Sequence, residues 1–322
     1  MARVKVTCNG FKGGYDQVNG VRWMNVSQLD FLRASLTLGF QRFGDFARAG
    51  FRSWQHRLGL GLTGMAYLQN QDGDLCLSDG YQQLDGSEKS AMSYWQGMVF
   101  AKLAANEVLG IRWLAHVDRM RDQGLIQISG DTKERGDMVG RDVGGAWHVI
   151  EAKGRSNPFS TKMITQAKQQ AALVKSINGS TPATTSACVS SVWTLPIEVL
   201  LDDPPSLGET KWDFKEEDFW SYYYGNLASY VREAPKLRRP RGFPDYTFAS
   251  LGPAMGDLPL RLRFDPARPI LGIGLPDMIL EEPRNAPKLL ERWKPDEEGY
   301  STSDGVALVG FPTRWDKKFT FD

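Results

Sequence analysis

The segment 135–158, RGDMVGRDVGGAWHVIEAKGRSNP, contains two carboxylates and a lysine whose spacing could bring them to one place. Asp137 precedes a short apolar run, and Glu151 and Lys153 end a second apolar run that follows the turn Asp142-Val143-Gly144-Gly145. Because side chains alternate across a strand, Glu151 and Lys153 point to the same face. The glycine turn predicts a hairpin that folds Asp137 alongside Glu151.

Two carboxylates that share a site suit a divalent cation. Their mutual repulsion raises the pKa of one of them unless a cation lies between them. Mg²⁺ accepts one or two carboxylates and keeps its other positions for water and phosphate. A lysine beside such a site can bind a scissile phosphate or help to deprotonate an attacking water. Asp137, Glu151 and Lys153 therefore predict a Mg²⁺ site suited to phosphate chemistry, with an ordinary ion pair at a strand end as the alternative.

The flanking sequence predicts the elements that position these residues. We expect a helix over 90–110, closed by Gly110, with a packing stripe of Trp95, Val99 and Leu103. A second helix is expected at about 160–177, after Asn157-Pro158. Beside the two hairpin strands, the remaining predicted elements are strands at 111–117, 125–129, 187–195 and 197–201 and an aromatic helix at 218–231. This order predicts an α/β fold with a mixed central β-sheet flanked by helices.

The motif resembles that of the PD-(D/E)XK nuclease superfamily, which has the restriction-endonuclease-like fold. The resemblance covers roughly residues 90–200, and Gly136 stands where the name of the motif has proline. It implies an αβββαβ core, catalytic Mg²⁺ that Mn²⁺ can replace, and hydrolysis of phosphodiester bonds in nucleic acid, with DNA as the favoured substrate. It assigns the metal to Asp137, Glu151 and the carbonyl of Ala152, and the activation of water to Lys153.

The resemblance also suggests roles for residues on the two helices. Some branches of the family carry a glutamine on the second helix, which makes Gln166 a candidate to orient the lysine and Gln170 a candidate for nucleic-acid contact. A solvated polar face is the alternative for both. Related nucleases draw an additional acidic ligand from the first helix, which makes Glu107 a candidate metal ligand; a helix-surface glutamate is the alternative.

Two basic segments could contact phosphates. The segment 31–57 interleaves aromatic residues with Arg33, Arg42, Arg48, Arg52 and Arg57. An amphipathic helical segment with aromatics in the core and arginines in water is the favoured interpretation of it. The densest positive run, in an extended proline-bounded loop, contains Lys236, Arg238, Arg239 and Arg241. It suits contact with a phosphate backbone, although solvated loops look similar.

Composition indicates a folded, globular chain. The 322 residues are 41% hydrophobic and 24% charged, with 10 Trp and 16 Phe. We expect three regions: an N-terminal aromatic and basic region at 1–85, a nuclease-like core at 86–250, and a C-terminal region of unknown role at 251–322. Three scattered cysteines form no C-x-x-C pair, and the histidines His56, His116 and His148 fit no ligand spacing and are expected to be structural.

These features also limit the class of protein. No apolar run has the length of a membrane span and no signal segment is evident, so we expect a cytoplasmic protein without a membrane partner. The net charge of +1 does not by itself indicate a nucleic-acid binder. No nucleotide-hydrolysis motif is present, so a partner subunit would supply any motor or targeting function, and a homodimer would suit cleavage of both strands. Restriction, phage defence or DNA repair follows from the family alone, and an inactive binding module on the same fold is the alternative.

Overall fold

The computed structural model describes residues 1–38, 51–130, 136–239, 243–251, 272–286 and 304–309. This part of the chain is a mixed α/β structure with helices flanking a curled, mixed central sheet, as the sequence predicts. The strands are β1 (Ala2–Asn9), β2 (Gly20–Val26), β3 (Leu68–Gln71), β4 (Asp74–Leu77), β5 (Trp113–His116), β6 (Gln127–Ser129), β7 (Met138–Arg141), β8 (Trp147–Arg155), β9 (Val174–Ile177), β10 (Thr184–Ser191), β11 (Glu198–Asp202), β12 (Thr210–Asp213), β13 (Tyr246–Ser250), β14 (Gly272–Pro276) and β15 (Ala307–Val309). The helices are α1 (Gln28–Thr37), α2 (Phe51–Ala66), α3 (Asp79–Gln82), α4 (Gly86–Leu109), α5 (Val117–Asp122), α6 (Thr161–Ala172), α7 (Glu216–Glu233) and α8 (Asp277–Glu281), with 3-10 turns at Asp16–Val18 and Pro283–Asn285.

The central sheet joins nine of the described strands. Their order is β3-β4-β1-β11-β10-β8-β7-β5, and β2 also pairs with β1. Strand β7 runs antiparallel to both β5 and β8, whereas β8 and β10 are parallel. Strand β11 is antiparallel to β10 and parallel to β1. Two smaller sheets have the orders β6-β12-β9 and β13-β14-β15.

Strands from residues 1–85 continue the sheet that contains the hairpin. In β1 the fully buried residues Ala2, Val4, Val6 and Cys8 alternate with more exposed ones, the pattern of a strand with one face on the core. Its parallel pairing with β11 begins at Lys5, opposite Glu198. The regions 1–85 and 86–250 therefore share one sheet.

Helix α4 matches the predicted first helix and begins slightly earlier. Asp85 caps its N-terminus, and Gly110 ends it in the left-handed conformation, with φ of 69°. The predicted packing stripe is buried, at Trp95, Val99 and Leu103. This helix packs on β8 and therefore holds the strand that ends in the motif.

The contact between α4 and β8 is close enough to require glycine. A Cβ atom on Gly97 would lie 2.5 Å from the Cα of Gly154. One on Gly154 would lie 1.8 Å from the carbonyl oxygen of Ser93. Real Cβ atoms essentially never approach other atoms this closely. The helix backbone therefore rests directly on the residue that follows Lys153.

The second predicted helix ends earlier than the sequence pattern indicates. Helix α6 begins after Ser160, whose hydroxyl accepts a hydrogen bond from the N–H of Met163, and it ends at Ala172 instead of 177. Residues 174–177 form strand β9, which pairs in parallel with β12. Val174 and Ile177 are β-branched and fully buried there, so tertiary pairing overrides the helical pattern at this end.

The basic and aromatic segment 31–57 is helical where the structure describes it, but its described arginines are not in water. Arg33 and Arg57 are both only 9% exposed. The Arg57 guanidinium lies 5.0 Å from the ring centroid of Trp95, a cation–π contact. Arg42 and Arg48 lie outside the described residues. The expected exposure is therefore wrong for Arg33 and Arg57, which are part of the packed interior.

Residues 304–309 pack on the core through buried polar contacts. The Nζ atom of Lys102 donates to the carbonyl of Thr37 at 2.9 Å and to the Tyr223 hydroxyl at 2.7 Å. That hydroxyl donates to Asp304 Oδ2 at 2.7 Å. Burial lowers the pKa of Lys102 to about 7. The C-terminal region thus has a structural connection to α1, α4 and α7.

No described helix is both long enough and apolar enough to cross a membrane.

Candidate active site

The predicted hairpin is confirmed. Strands β7 and β8 are antiparallel, with Met138 opposite Ile150 and Arg141 opposite Trp147. Asp142 stabilises the turn because its Oδ1 atom accepts a hydrogen bond of 2.8 Å from the N–H of Ala146. The turn residues, through this hydrogen bond, therefore fix the register of the two strands.

This register brings Asp137 to the side of Glu151. Asp137 directly precedes Met138, so continuing the ladder by one residue sets it opposite Glu151. Its Oδ2 atom accepts a hydrogen bond of 3.0 Å from the N–H of Ala152. Its carbonyl accepts one of 2.9 Å from the N–H of Val117, the first residue of α5, directly after β5. Backbone groups of β8 and of the segment that follows β5 thus hold Asp137 at the edge of the sheet.

Glu151 and Lys153 are in contact on one face of β8, as strand alternation predicts. The Nζ atom of Lys153 forms an ion pair with Glu151 Oε1. Glu151 is only 1% exposed, whereas the Lys153 side chain is 31% exposed. The second carboxylate oxygen, Oε2, is buried and has no hydrogen-bond partner in the described chain. A buried carboxylate oxygen without a partner is costly, which is typical of a site completed by a ligand.

Burial disturbs the ionisation of both carboxylates, and the charge of Asp137 adds to the effect on Glu151. Burial raises the pKa of Glu151 to about 8, with the charge of Asp137 as the next cause, while Lys153 opposes the shift. Burial also raises the pKa of Asp137, against the hydrogen bond from Ala152 and the charge of Lys153. Burial lowers the pKa of Lys153, but Glu151 and Asp137 outweigh it, so that this pKa is raised and the ammonium stays charged at neutral pH.

The donor set suits a hard divalent cation. Glu151 offers its unpartnered Oε2, and Asp137 offers a second carboxylate beside it. Over the residues that the structure describes, no group of three or more His, Cys, Asp or Glu side chains could hold a metal ion. Mg²⁺ needs only one or two protein carboxylates, since water and substrate phosphate complete its shell. The residues therefore fit Mg²⁺ better than a structural Zn²⁺ ion, which takes four protein ligands.

Neither glutamine of α6 hydrogen-bonds to these three residues in the described part of the chain. Helix α6 lies on the Glu151 face of the sheet, where Ala167 packs near Ala187, the β10 neighbour of Glu151. Gln166 is exposed and hydrogen-bonds to none of the three motif residues in the described chain. Gln170 is half-buried, and its Oε1 atom lacks a partner among the described residues. Their roles towards lysine or nucleic acid remain predictions.

Glu107 lies near the C-terminal end of α4, about three turns beyond the part of the helix that contacts the site. It is exposed and accepts a hydrogen bond of 3.1 Å from Asn106. Gly97 marks the contact of α4 with the residue after Lys153, and ten residues of helix separate it from Glu107. At 1.5 Å per residue this is about 15 Å along the axis. The structure thus does not bring Glu107 to the carboxylates.

The basic run at 236–241 has intramolecular partners. Lys236 donates to the carbonyls of Val231 and Arg232 at the end of α7, each at 2.6 Å. Arg239 forms an ion pair of 2.8 Å with Asp277, and Arg238 is exposed. Arg241 lies outside the described residues. Contact of this run with nucleic acid stays a prediction, and Lys236 has a structural role as a helix cap.

His148 has the structural surroundings that the sequence suggests. It lies on the face of β8 opposite to Glu151 and is fully buried. Its Nδ1 atom is 3.0 Å from the hydroxyl of Thr184, and its Nε2 atom is 3.4 Å from both Asp142 and the hydroxyl of Tyr15. These contacts tie the hairpin turn to the N-terminal segment.

Four residues that the sequence pattern did not assign to the site also border it. His116, the last residue of β5, and Asp118, in α5, lie near Asp137. Arg119 lies near His116 and Tyr94, and Tyr94 on α4 is near both Asp137 and Lys153. His116 pairs with Met138, and its Nδ1 atom is buried without a partner in the described chain. The sequence signal is weak, because Tyr94 and His116 lie inside predicted elements and Asp118 and Arg119 follow one. The pairing of β5 with β7 brings His116 to the site, and the packing of α4 on β8 brings Tyr94 there.

The geometry of the site indicates which chemistry its residues can perform. Two carboxylates and a charged lysine meet where β7 begins and β8 ends, beside the end of β5. No family model, curated protein or solved structure significantly matches the chain.

Proposed function

We propose that this protein is a Mg²⁺-dependent nuclease that hydrolyses phosphodiester bonds, with DNA as the favoured substrate. The observation that carries the proposal is the meeting of Asp137, Glu151 and Lys153 at one sheet edge, with a buried and unpartnered oxygen on Glu151. Mn²⁺ is expected to replace Mg²⁺, because both accept carboxylate and water oxygen.

The order of elements around the site supports the same proposal. Helix α4, the antiparallel strands β5, β7 and β8, helix α6 and the parallel strand β10 occur along the chain in the αβββαβ order of the restriction-endonuclease-like core. Helix α5 and strand β6 are additions between β5 and β7, and strand β9 is an addition between α6 and β10; β6 and β9 belong to another sheet. Strands β1 to β4 and β11 extend the sheet beyond this order.

The roles of the residues follow from their positions. The chemistry that Mg²⁺ supplies when bound is neutralisation of charge on the scissile phosphate and easier ionisation of the attacking water. Asp137 and Glu151 would hold the cation, and the carbonyl of Ala152 would add a ligand. Lys153 is charged and partly exposed, so its ammonium can donate to a phosphate oxygen and align the substrate.

A cleavage assay tests the function. The purified protein is incubated with linear duplex, circular duplex and single-stranded DNA, and with RNA, in Mg²⁺, in Mn²⁺ and in a chelator. We expect cleavage of at least one DNA substrate with either metal and none in the chelator. A folded protein that cuts none of these substrates with either metal would contradict the proposal.

A non-catalytic binding module is the second candidate, and one contact favours it. The ion pair between Lys153 and Glu151 partly neutralises the buried carboxylate, as a structural pair at a strand end would. It leaves Glu151 Oε2 without a partner in the described residues, which a purely structural pair does not explain. Metal-independent binding of nucleic acid without cleavage would favour this second candidate.

A further inference from the structure

Two half-exposed aromatic side chains lie at the same end of the sheet as Lys153. The first is Trp193, which is 52% exposed and lies in the turn directly after β10. Strand β10 is parallel to β8, with Val189 opposite Lys153 and Ser191 opposite Arg155. The N–H of Val192 continues the ladder with a 3.0 Å bond to the carbonyl of Arg155. Trp193 therefore leaves the sheet two residues past the level of Ser191, beside the exposed end of β8.

The second aromatic residue is Tyr94, which is 53% exposed and lies on α4. Its neighbour Ser93 contacts Gly154, the residue after Lys153, through its carbonyl oxygen. The Tyr94 hydroxyl is close enough to the site for the charges of Asp137 and Lys153 to shift its pKa. Burial raises its pKa, Asp137 raises it further, and Arg119 and Lys153 oppose the shift. Tyr94 thus borders the motif from the helix, and Trp193 lies past the end of β10 at the same end of the sheet.

The surroundings of these rings are suited to a phosphate backbone. Lys153 is partly exposed on β8, and Arg155 at the end of β8 is exposed. The Arg119 side chain is 38% exposed and contacts Asp122 at 3.6 Å. Aromatic rings interleaved with cations are the common means of holding single-stranded nucleic acid, because bases stack on the rings while the cations follow the phosphates. In an intact duplex the bases already stack on one another, so a protein ring can stack only on an unpaired or displaced base.

We propose that Tyr94 and Trp193 stack on unpaired bases next to the scissile phosphate, so that the substrate is a single strand or an unpaired segment of a strand. This inference rests on the proposed nuclease function, because it uses the same site. Its consequence is a preference for single-stranded over blunt duplex DNA that depends on the two rings.

The test measures binding without cleavage, using fluorescein-labelled DNA in the presence of a chelator. Dissociation constants are measured for a single-stranded oligonucleotide and for a blunt duplex of the same sequence. We expect Trp193→Ala and Tyr94→Ala to weaken single-strand binding about 5- to 100-fold each, the range typical of a lost stacking contact. Trp193→Phe should retain most of the affinity, because the ring can still stack. Binding of the duplex should change less than about 2-fold.

Trp23→Ala is the matched control. Trp23 lies on β2 and is 51% exposed, like the two candidate residues, and its ring contacts Arg3 of β1. Strand β2 is four strands away from β8 in the sheet, through β10, β11 and β1. At about 4.8 Å per strand this is roughly 19 Å. Loss of this ring should leave single-strand binding unchanged.

The outcomes separate the two proposals. Wild type that cuts DNA with Mg²⁺ but whose single-strand affinity is unaffected by both alanine variants would overturn the stacking proposal and leave the nuclease in place. Ring-dependent single-strand binding by a protein that cuts nothing would support stacking and reject the nuclease. Equal losses on single strand and duplex, or an equal loss with Trp23→Ala, would overturn the stacking proposal.

Discussion

We expect Glu151→Gln to reduce metal-dependent cleavage at least about 1,000-fold while leaving the metal-free protein as stable as wild type or slightly more stable. Glutamine keeps the shape of the side chain but removes the charge that a cation requires. In the metal-free protein a charge on Glu151 is unfavourable because it is buried beside Asp137, and glutamine removes the cost of keeping this carboxyl protonated or of ionising it there. Cleavage assays and thermal melting of the same preparations measure both effects.

The stability effect has a defined pH dependence. The pKa of Glu151 is raised from 4.5 to about 8 in the folded protein, so the folded state binds more protons than the unfolded state between these values. Wild type should therefore lose this contribution to stability as the pH rises from about 4.5 to about 8, and Glu151→Gln should not. The difference in unfolding free energy, variant minus wild type, should grow across this window by about 1 kcal/mol or more.

Glu217→Gln serves as the control, because Glu217 is exposed in the first turn of α7 and lies outside the site. It should change neither cleavage nor the pH dependence of melting by a measurable amount. A Glu151→Gln protein that melts well below wild type and still cuts in proportion to its folded fraction would show that Glu151 is a structural partner of Lys153.

Gly97→Ala should have the second large effect. In an exposed helix alanine is more stable than glycine by about 1 kcal/mol. At Gly97, however, the new Cβ would meet the backbone of Gly154 at 2.5 Å, so that α4 and the end of β8 must move apart. We expect a loss of about 1 to 3 kcal/mol of stability from the overpacked contact. Because the displaced backbone directly follows Lys153, cleavage by the folded protein should fall by about 100-fold.

Gly225→Ala is the matched variant for this prediction. Gly225 is also inside a helix, α7, but a Cβ atom there would have nothing within 4 Å. It should raise the stability by up to about 1 kcal/mol and leave cleavage unchanged. If Gly97→Ala instead behaved like Gly225→Ala in urea unfolding and in cleavage, the close contact of α4 with β8 would not position Lys153.

The local parts of the site could be predicted from the sequence. The turn around Gly145 fixes the hairpin, and strand alternation then places Glu151 and Lys153 together, because both signals act over a few residues. The packing stripe of α4 follows in the same way from helical periodicity.

The other parts depend on contacts between distant segments. The end of α6 could not be predicted because Val174 and Ile177 join β12, more than 30 residues further on. The position of Trp193 at the same end of the sheet as Lys153 follows only from the parallel pairing of β8 with β10. The burial of Arg57 depends on Trp95, which belongs to another helix. Charge and periodicity within a segment indicate none of these contacts.

The most direct test of the account is the position of a bound metal ion. Crystals of wild type grown or soaked with Mn²⁺ allow the ion to be located by its anomalous scattering. We predict one peak between the Asp137 carboxylate and Glu151 Oε2, at about 2.1 Å from each coordinating oxygen, with Lys153 displaced from its contact with Glu151 or shared with a phosphate. Saturating Mn²⁺ that gives no peak at these two carboxylates, with the pair of Glu151 and Lys153 intact, would contradict the account.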